Sequence, residues 1–239
     1  NLSKYDESIK SLKKCLKIKK ELNEPEGIAS AFKSIGVIYY YKGQYNQAMV
    51  YHKKSLKHRK EIGYRAGIGE SLSFIGDTYK KMGEYDNAIS SYQESLSIME
   101  FLKDDEHASK ILNRLGNIYR KMGEYDSALE ILKKAEKLKN KIKDFQNLGY
   151  TLLEISSIYR WQGQYKLALE YNEQSIKLAK ENNQEKLLAN NLYHKSLMSI
   201  NVSNYKDAKK NINQAIKIAK DLDYMNNAAK YLDCLGIIY

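Results

Sequence analysis

Gly36, Gly76, Gly116, Ser156, Ser196 and Gly236 stand forty residues apart without slippage, and Tyr5, Tyr45, Tyr85, Tyr125, Tyr165 and Tyr205 keep the same interval on a second phase. No other feature constrains the fold as much, because a fixed period of this size means that one supersecondary unit has been stacked into an array. The 239 residues are therefore read as one elongated domain whose units touch only their neighbours. Function on such a chain is expected on a surface, not in a single pocket.

Residues 106–144 show the unit most clearly. Ala108, Ile111 or Leu112, Leu115, Gly116, Ile118 and Tyr119 recur at three- and four-residue spacing and form one apolar helix face, with Lys110, Asn113, Arg114, Asn117, Arg120 and Lys121 on the other side. Gly123 then ends the first helix in a left-handed cap, and Glu124 and Asp126 suit the positive start of a second helix carrying Tyr125, Ala128, Leu129, Leu132, Ala135 and Leu138. A mid-helix glycine costs about 1 kcal/mol relative to alanine, so its return calls for a packing reason. Close approach across the hairpin supplies one, by pairing Gly36 with Ala48, Gly76 with Ala88, Gly116 with Ala128, Ser156 with Ala168 and Ser196 with Ala208.

These spacings predict an all-α chain of antiparallel hairpins: a second-type helix over 4–22, hairpins over about 26–62, 66–102, 106–142, 146–182 and 186–222, and a final first-type helix over 226–239. Tyr239 falls in the phase of Tyr39. Both ends start and finish bare, with Ile9, Leu12 and Leu16 at one and Leu232, Leu235 and Ile238 at the other, where arrays normally carry a polar cap. Two expectations follow: the chain is a piece of a longer protein, or its open ends associate end to end with those of a second copy. The unit over 186–201 departs most from the pattern, with Lys195, Ser199 and Ser203 replacing a leucine, a tyrosine and a glycine. It reads as drift in a tolerant repeat, or as a bend or specialised surface that exposes Tyr193, His194 and Leu197.

Leu112, Leu115-Gly116, Tyr119, Ala128 and Ala135 resemble the signature of the tetratricopeptide repeat, in the forty-residue form found in Pins-type and rapsyn-like adaptors and in Rap-type bacterial regulators. The resemblance implies a right-handed superhelical α-solenoid, non-enzymatic, whose first helices line a concave groove for a segment of another protein. It also implies that asparagines at the phases of Asn113 and Asn117, with nearby Lys80 and Arg120, hold an extended peptide.

The chain bears 40 Lys and Arg against 29 Asp and Glu, a formal charge of +11 that favours acidic partners. No apolar run approaches the ~18 residues of a membrane span. Cys15 and Cys234 are the only cysteines, and a reducing, cytoplasmic setting fits them. His52, His58, His107 and His194 are scattered, with no zinc motif and no nucleotide-binding loop, so no catalytic residue, metal or cofactor is expected. His52 and His58 lie among lysines and are read as surface residues.

Read by phase, the wall of first helices contains Lys33, Val37, Tyr40 and Tyr41, then Ser73, Asp77, Lys80 and Lys81, then Asn113, Asn117, Arg120 and Lys121, then Leu153, Ser157, Arg160 and Trp161, then Tyr193, Leu197 and Ile200. Its centre is basic and amide-rich, so the candidate peptide-binding residues are Lys80, Lys110, Asn113, Arg114, Asn117, Arg120 and Arg160, with an acidic or carboxylate-bearing segment as the partner. The second helices carry further charge at Lys53, Lys54, Lys57, Arg59 and Lys60, and at Lys133, Lys134, Lys137, Lys139, Lys141 and Lys143, expected to face solvent. A scaffold is thus the first reading. The sensory region of a larger signalling protein is the second, and electrostatic nucleic-acid binding through the lysine stripes the third.

Overall fold

The computed structural model describes residues 2–238, apart from the side chains of Leu2, Ser3, Met225, Asn226 and Ile238; the readings for Tyr239 and for Ile238 lie outside the described residues. Twelve α-helices account for nearly all of them: α1 (Leu2–Glu21), α2 (Pro25–Tyr41), α3 (Tyr45–Glu61), α4 (Arg65–Met82), α5 (Tyr85–Phe101), α6 (Asp105–Met122), α7 (Tyr125–Lys141), α8 (Phe145–Trp161), α9 (Tyr165–Glu181), α10 (Glu185–Asn201), α11 (Tyr205–Asp221) and α12 (Met225–Ile238). They form two compact units, Asn1–Ile118 and Tyr119–Tyr239, with the boundary inside α6.

What cuts the chain into helices is one left-handed residue every twenty positions: Asn23, Gly43, Gly63, Gly83, Lys103, Gly123, Lys143, Gly163, Asn183, Ser203 and Asp223 all have φ between +50° and +82°. Glycine adopts this conformation without steric cost and asparagine with little, so each ends a helix and reverses the chain within three residues. Position 203 keeps the turn even with serine, and the unit over 186–201 is a regular helix. In the first unit α2 pairs with α3 and α4 with α5, while α2 also touches α4; in the second, α8 pairs with α9 and α10 with α11, and α10 touches both α8 and α12. The first helices thus stand side by side within each unit.

The helical glycines face a different neighbour from the one their spacing implies. A Cβ on Gly36 would lie 2.6 Å from Cε1 of His52, and one on Gly76 would lie 2.7 Å from Cε1 of Tyr92. The space left by the missing side chain is filled by a ring one turn beyond Ala48 or Ala88. Where serine replaces glycine the contact becomes a hydrogen bond: Ser156 donates to the carbonyl of Ala168 at 2.7 Å, and Ser196 to that of Ala208 at 2.9 Å.

Three charged or titratable residues read as surface are buried. His52 is 1% exposed, its ring stacked on Phe74 at 5.3 Å. Arg59 and Lys139, forty-phase equivalents on α3 and α7, are also buried, because each reaches across to the start of the following first helix. Arg59 donates to the Gly67 carbonyl at 2.7 Å and to Ser71 at 3.0 Å, and pairs with Glu70 at 2.7 Å; Lys139 donates to Thr151 at 2.7 Å. A buried cation is tolerated where such partners satisfy it. The bare N-terminal face is partly covered, with Ile9 buried and Leu12 and Leu16 half-buried, whereas Leu232 on α12 is exposed.

Candidate functional site

The sequence-predicted residues fall into two groups. In the first unit, Lys110 and Arg114 line a small hollow of about 190 Å³ between α4 and α6. Their charge is already answered from within. Arg114 lies 3.3 Å from Asp77 and also donates to Ser73, Lys80 lies 3.7 Å from Asp77, and Lys110 pairs with Glu106 one turn back. Asn113 and Asn117 are half-exposed on α6.

Arg120 and Arg160 belong to a larger hollow in the second unit, of about 460 Å³, built from the last turn of α6 and the exposed sides of α8, α10 and α12. The three-to-four-residue spacing of Leu153, Ser157, Arg160 and Trp161 puts them on one face of α8, and α10 contributes Tyr193, His194 and Leu197 on the matching face. Lys230 completes it from α12. Tyr193, His194 and Leu197, exposed in one of the two readings of this unit from its sequence, are half-buried in its wall. Trp161 is 59% exposed and stands at the edge, with the Arg160 guanidinium 4.7 Å from its ring.

Charge decides what such a hollow can accept. It contains three cations, Arg120, Arg160 and Lys230, and one carboxylate, Glu154. Arg120 Nε lies 2.8 Å from Glu154 Oε2, an ion pair by distance whose N–H is not aligned on the oxygen. Among the described residues no carboxylate lies within ion-pair reach of Arg160 or Lys230; the Lys230 ammonium sits 4.4 Å over the Tyr193 ring, and Arg160 Nε is buried without a hydrogen-bond partner.

The field of these groups is visible in their neighbours. Burial, then repulsion from Arg160, Lys230 and Arg120, holds the His194 imidazole neutral, its pKa pushed down to about 3. Its Nδ1 lies 3.3 Å from Ser157 Oγ. Lys230 is likewise pushed down, first by burial and then by Arg160 and Arg120, and burial lowers Arg160. An incoming anion would relieve all three at once. Among the described residues no three His, Cys, Asp or Glu side chains gather to hold a metal ion. Nor is any helix among them long and apolar enough to cross a membrane.

Sequence reasoning found Arg120 and Arg160 but passed over Lys230, Glu154 and Asn190. Lys230 shares the phase of Lys110, which was the available signal. Asn190 is held by α12, accepting from Tyr231 at 2.7 Å and Asn227 at 2.8 Å.

Profiles described as tetratricopeptide repeat match residues 67–141, 28–62 and 1–22. A profile described as anaphase-promoting complex subunit 5 matches twice, over 107–202 and 190–232; the two stretches overlap, as expected when a profile can be laid on a periodic chain in more than one register. No curated protein matches. Among solved structures, BtubC from P. vanneervenii aligns with a TM-score of 0.81 at 14% identity over 92% of each chain. Aspartyl phosphate phosphatase F from Bacillus subtilis aligns at 0.77 and 18% identity, over 99% of this chain and 67% of that one. The apo quorum sensor NprR from B. thuringiensis aligns at 0.74 and 19% identity, over 95% of this chain and 65% of that one. At these identities the likeness is one of fold.

Proposed function

The chain belongs to the tetratricopeptide-repeat family, and on that footing we propose that it is a non-enzymatic protein-interaction scaffold whose second unit holds an acidic segment of a partner in the hollow between α8, α10 and α12. The observation that carries this reading is the excess of cation over carboxylate there, with Arg160 and Lys230 against aromatic rings and, among the described residues, no carboxylate within ion-pair reach of either. A partly buried cation such as Arg160, whose Nε lacks a hydrogen-bond partner, gains most from a charge-assisted hydrogen bond, and the flanking Leu153, Leu197 and Tyr193 supply apolar contact for the side chains beside the acid. The basic and amide-bearing residues of the first unit, Lys80, Lys110, Asn113, Arg114 and Asn117, take a smaller part in this proposal, since Asp77 and Glu106 already answer three of their charges.

A second reading, a sensory region within a larger signalling protein, draws on the likeness to the quorum sensor NprR, of which the aligned part spans 65%. Both readings use the same hollow.

The test is binding to an array of acidic, neutral and basic decapeptides, with the wild-type chain and with Arg160→Gln/Lys230→Gln. Selective capture of acidic members, lost in the double variant at unchanged melting temperature, is the expected result. Equal capture across the three classes, or undiminished selectivity in the variant, would remove the hollow as the site.

A further inference from the structure

A second hollow, of about 330 Å³, opens in the second unit among α9, α10 and the start of α11. Its origin can be read from the period. In the preceding repeat the corresponding space is filled by Tyr159, 7% exposed, stacked on Tyr171 at 5.5 Å and packed with Leu129, Ile158 and Tyr125. Forty residues on, these become Ser199, Asn211, Leu169, Met198 and Tyr165, and all five line the hollow. The walls have been kept and the two stacked rings removed. Tyr39 on Tyr51, at 5.4 Å and 20°, shows the same filled arrangement in the first unit.

We propose that this hollow is a second binding site, which takes a tyrosine side chain from an acidic segment of a partner protein. The shape is that of a ring the fold elsewhere supplies itself: Met198 forms a buried floor, and Leu169 and Val202, 41% and 58% exposed, form an apolar mouth. The charge at the rim selects what stands beside the ring. Where Lys133 lies 5.5 Å over Tyr159, its counterpart Glu173 is drawn away to pair with Lys195. Asp207 is held by the Asn204 amide at 2.8 Å. Lys210 is exposed and, among the described residues, has no carboxylate within ion-pair reach, so an acid next to the incoming tyrosine meets a complementary charge. The site is distinct from the cationic hollow and shares no residue with it.

Met198 is the natural reporter. With the intact chain carrying 13C-labelled methionine methyls, 4-methylphenol, N-acetyl-Asp-Tyr-amide and N-acetyl-Asp-Ala-amide are each titrated while the Met198 resonance is followed. The two phenols are expected to move it saturably and the alanine dipeptide to leave it in place. Ser199→Tyr restores the missing ring, so it is expected to abolish the response and raise the melting temperature. If that variant does not fold, Leu169→Gln, on the exposed wall, is expected to lose the response instead. Lys210→Glu is expected to weaken the Asp-Tyr dipeptide by about threefold and leave 4-methylphenol unchanged, as for a surface ion pair. A Met198 resonance unmoved by 4-methylphenol, or an undiminished response in Ser199→Tyr, overturns the site. An unchanged dipeptide affinity in Lys210→Glu overturns the acidic character of the segment. The outcome is independent of Arg160→Gln/Lys230→Gln, which is expected to bind 4-methylphenol as wild type.

Discussion

Tyr92 donates its phenolic hydrogen to Asp77 at 2.6 Å, from the second helix of a hairpin back to the first. Burial, and then the negative charge of Asp77, push the phenol's pKa upward, so the donor stays protonated at any ordinary pH. The same carboxylate meets Arg114 and Lys80, and one acid therefore ties α4 to α5 and to α6. Tyr92→Phe keeps the ring and removes the donor. It is expected to cost about 1 to 2 kcal/mol, read as a lower midpoint in urea unfolding with the slope unchanged.

The slot opposite that ring supplies a second test. Gly76→Ala would place a Cβ 2.7 Å from the Tyr92 ring, an overlap expected to cost about 1 to 3 kcal/mol. The chain also contains a different solution at the same phases, Ser156 with Asn172. Gly76→Ser combined with Tyr92→Asn is therefore expected to be less damaging than the sum of the two single changes. A double-mutant cycle in calorimetry measures the coupling, and strict additivity would show that the two positions do not share the slot.

Acid should loosen the first unit through His52. Its imidazole has no hydrogen-bond partner, and burial lowers its pKa to about 4 from an ordinary 6.5, with Asp77 opposing weakly. The unfolded chain thus binds more protons than the native one between these values. The stability contributed by the neutral ring is complete above pH 6.5 and is lost as the pH falls toward about 4, by a total on the order of 3 kcal/mol. His52→Phe is expected to flatten this part of the stability-versus-pH curve. An acid slope remains from His194 in the second unit, whose pKa is pushed down in the same direction and further, to about 3.

Lys143 holds φ at +57° in a left-handed turn position that glycine occupies at 63, eighty residues earlier on the same phase, and at 43, 83, 123 and 163 on the alternate one. A left-handed conformation costs an ordinary side chain about 1 to 2 kcal/mol, and glycine gives part of that back through its freer unfolded state. Lys143→Gly is expected to raise stability by up to about 1 kcal/mol. A loss of stability would mean that the lysine side chain makes a compensating contact.

The helices and turns were legible because the forty-residue beat repeats signals that act locally: a left-handed residue, an apolar stripe, a small residue in mid-helix. Arg59 and Lys139 were misread for the same reason. Each sits in a run of lysines, and only the neighbouring helix, with Ser71 or Thr151 in reach, distinguishes it from its exposed neighbours. His52 was hidden likewise, since its burial depends on Gly36 and Phe74. In the candidate site Arg120 and Arg160 could be chosen by phase. Which cations are already neutralised could not, because Asp77 and Glu154 act across helices 34 to 37 residues away in sequence. The hollow beside Met198 was legible in half, as a missing tyrosine at Ser199; its depth needed Asn211 as well.

Because a left-handed residue closes every helix at the same interval, the chain has a natural unit of excision. Removing residues 44–83 would join Gly43 to Glu84, a junction chemically the same as the native Gly83 to Glu84. Everything downstream would keep its rotational setting, and Gly36 would present its vacant slot to Tyr92, the ring that already fills that slot at Gly76. A deletion one residue longer or shorter would turn the following helix by about 100° and bury its charges. Length in this protein can change without refolding only in whole repeats.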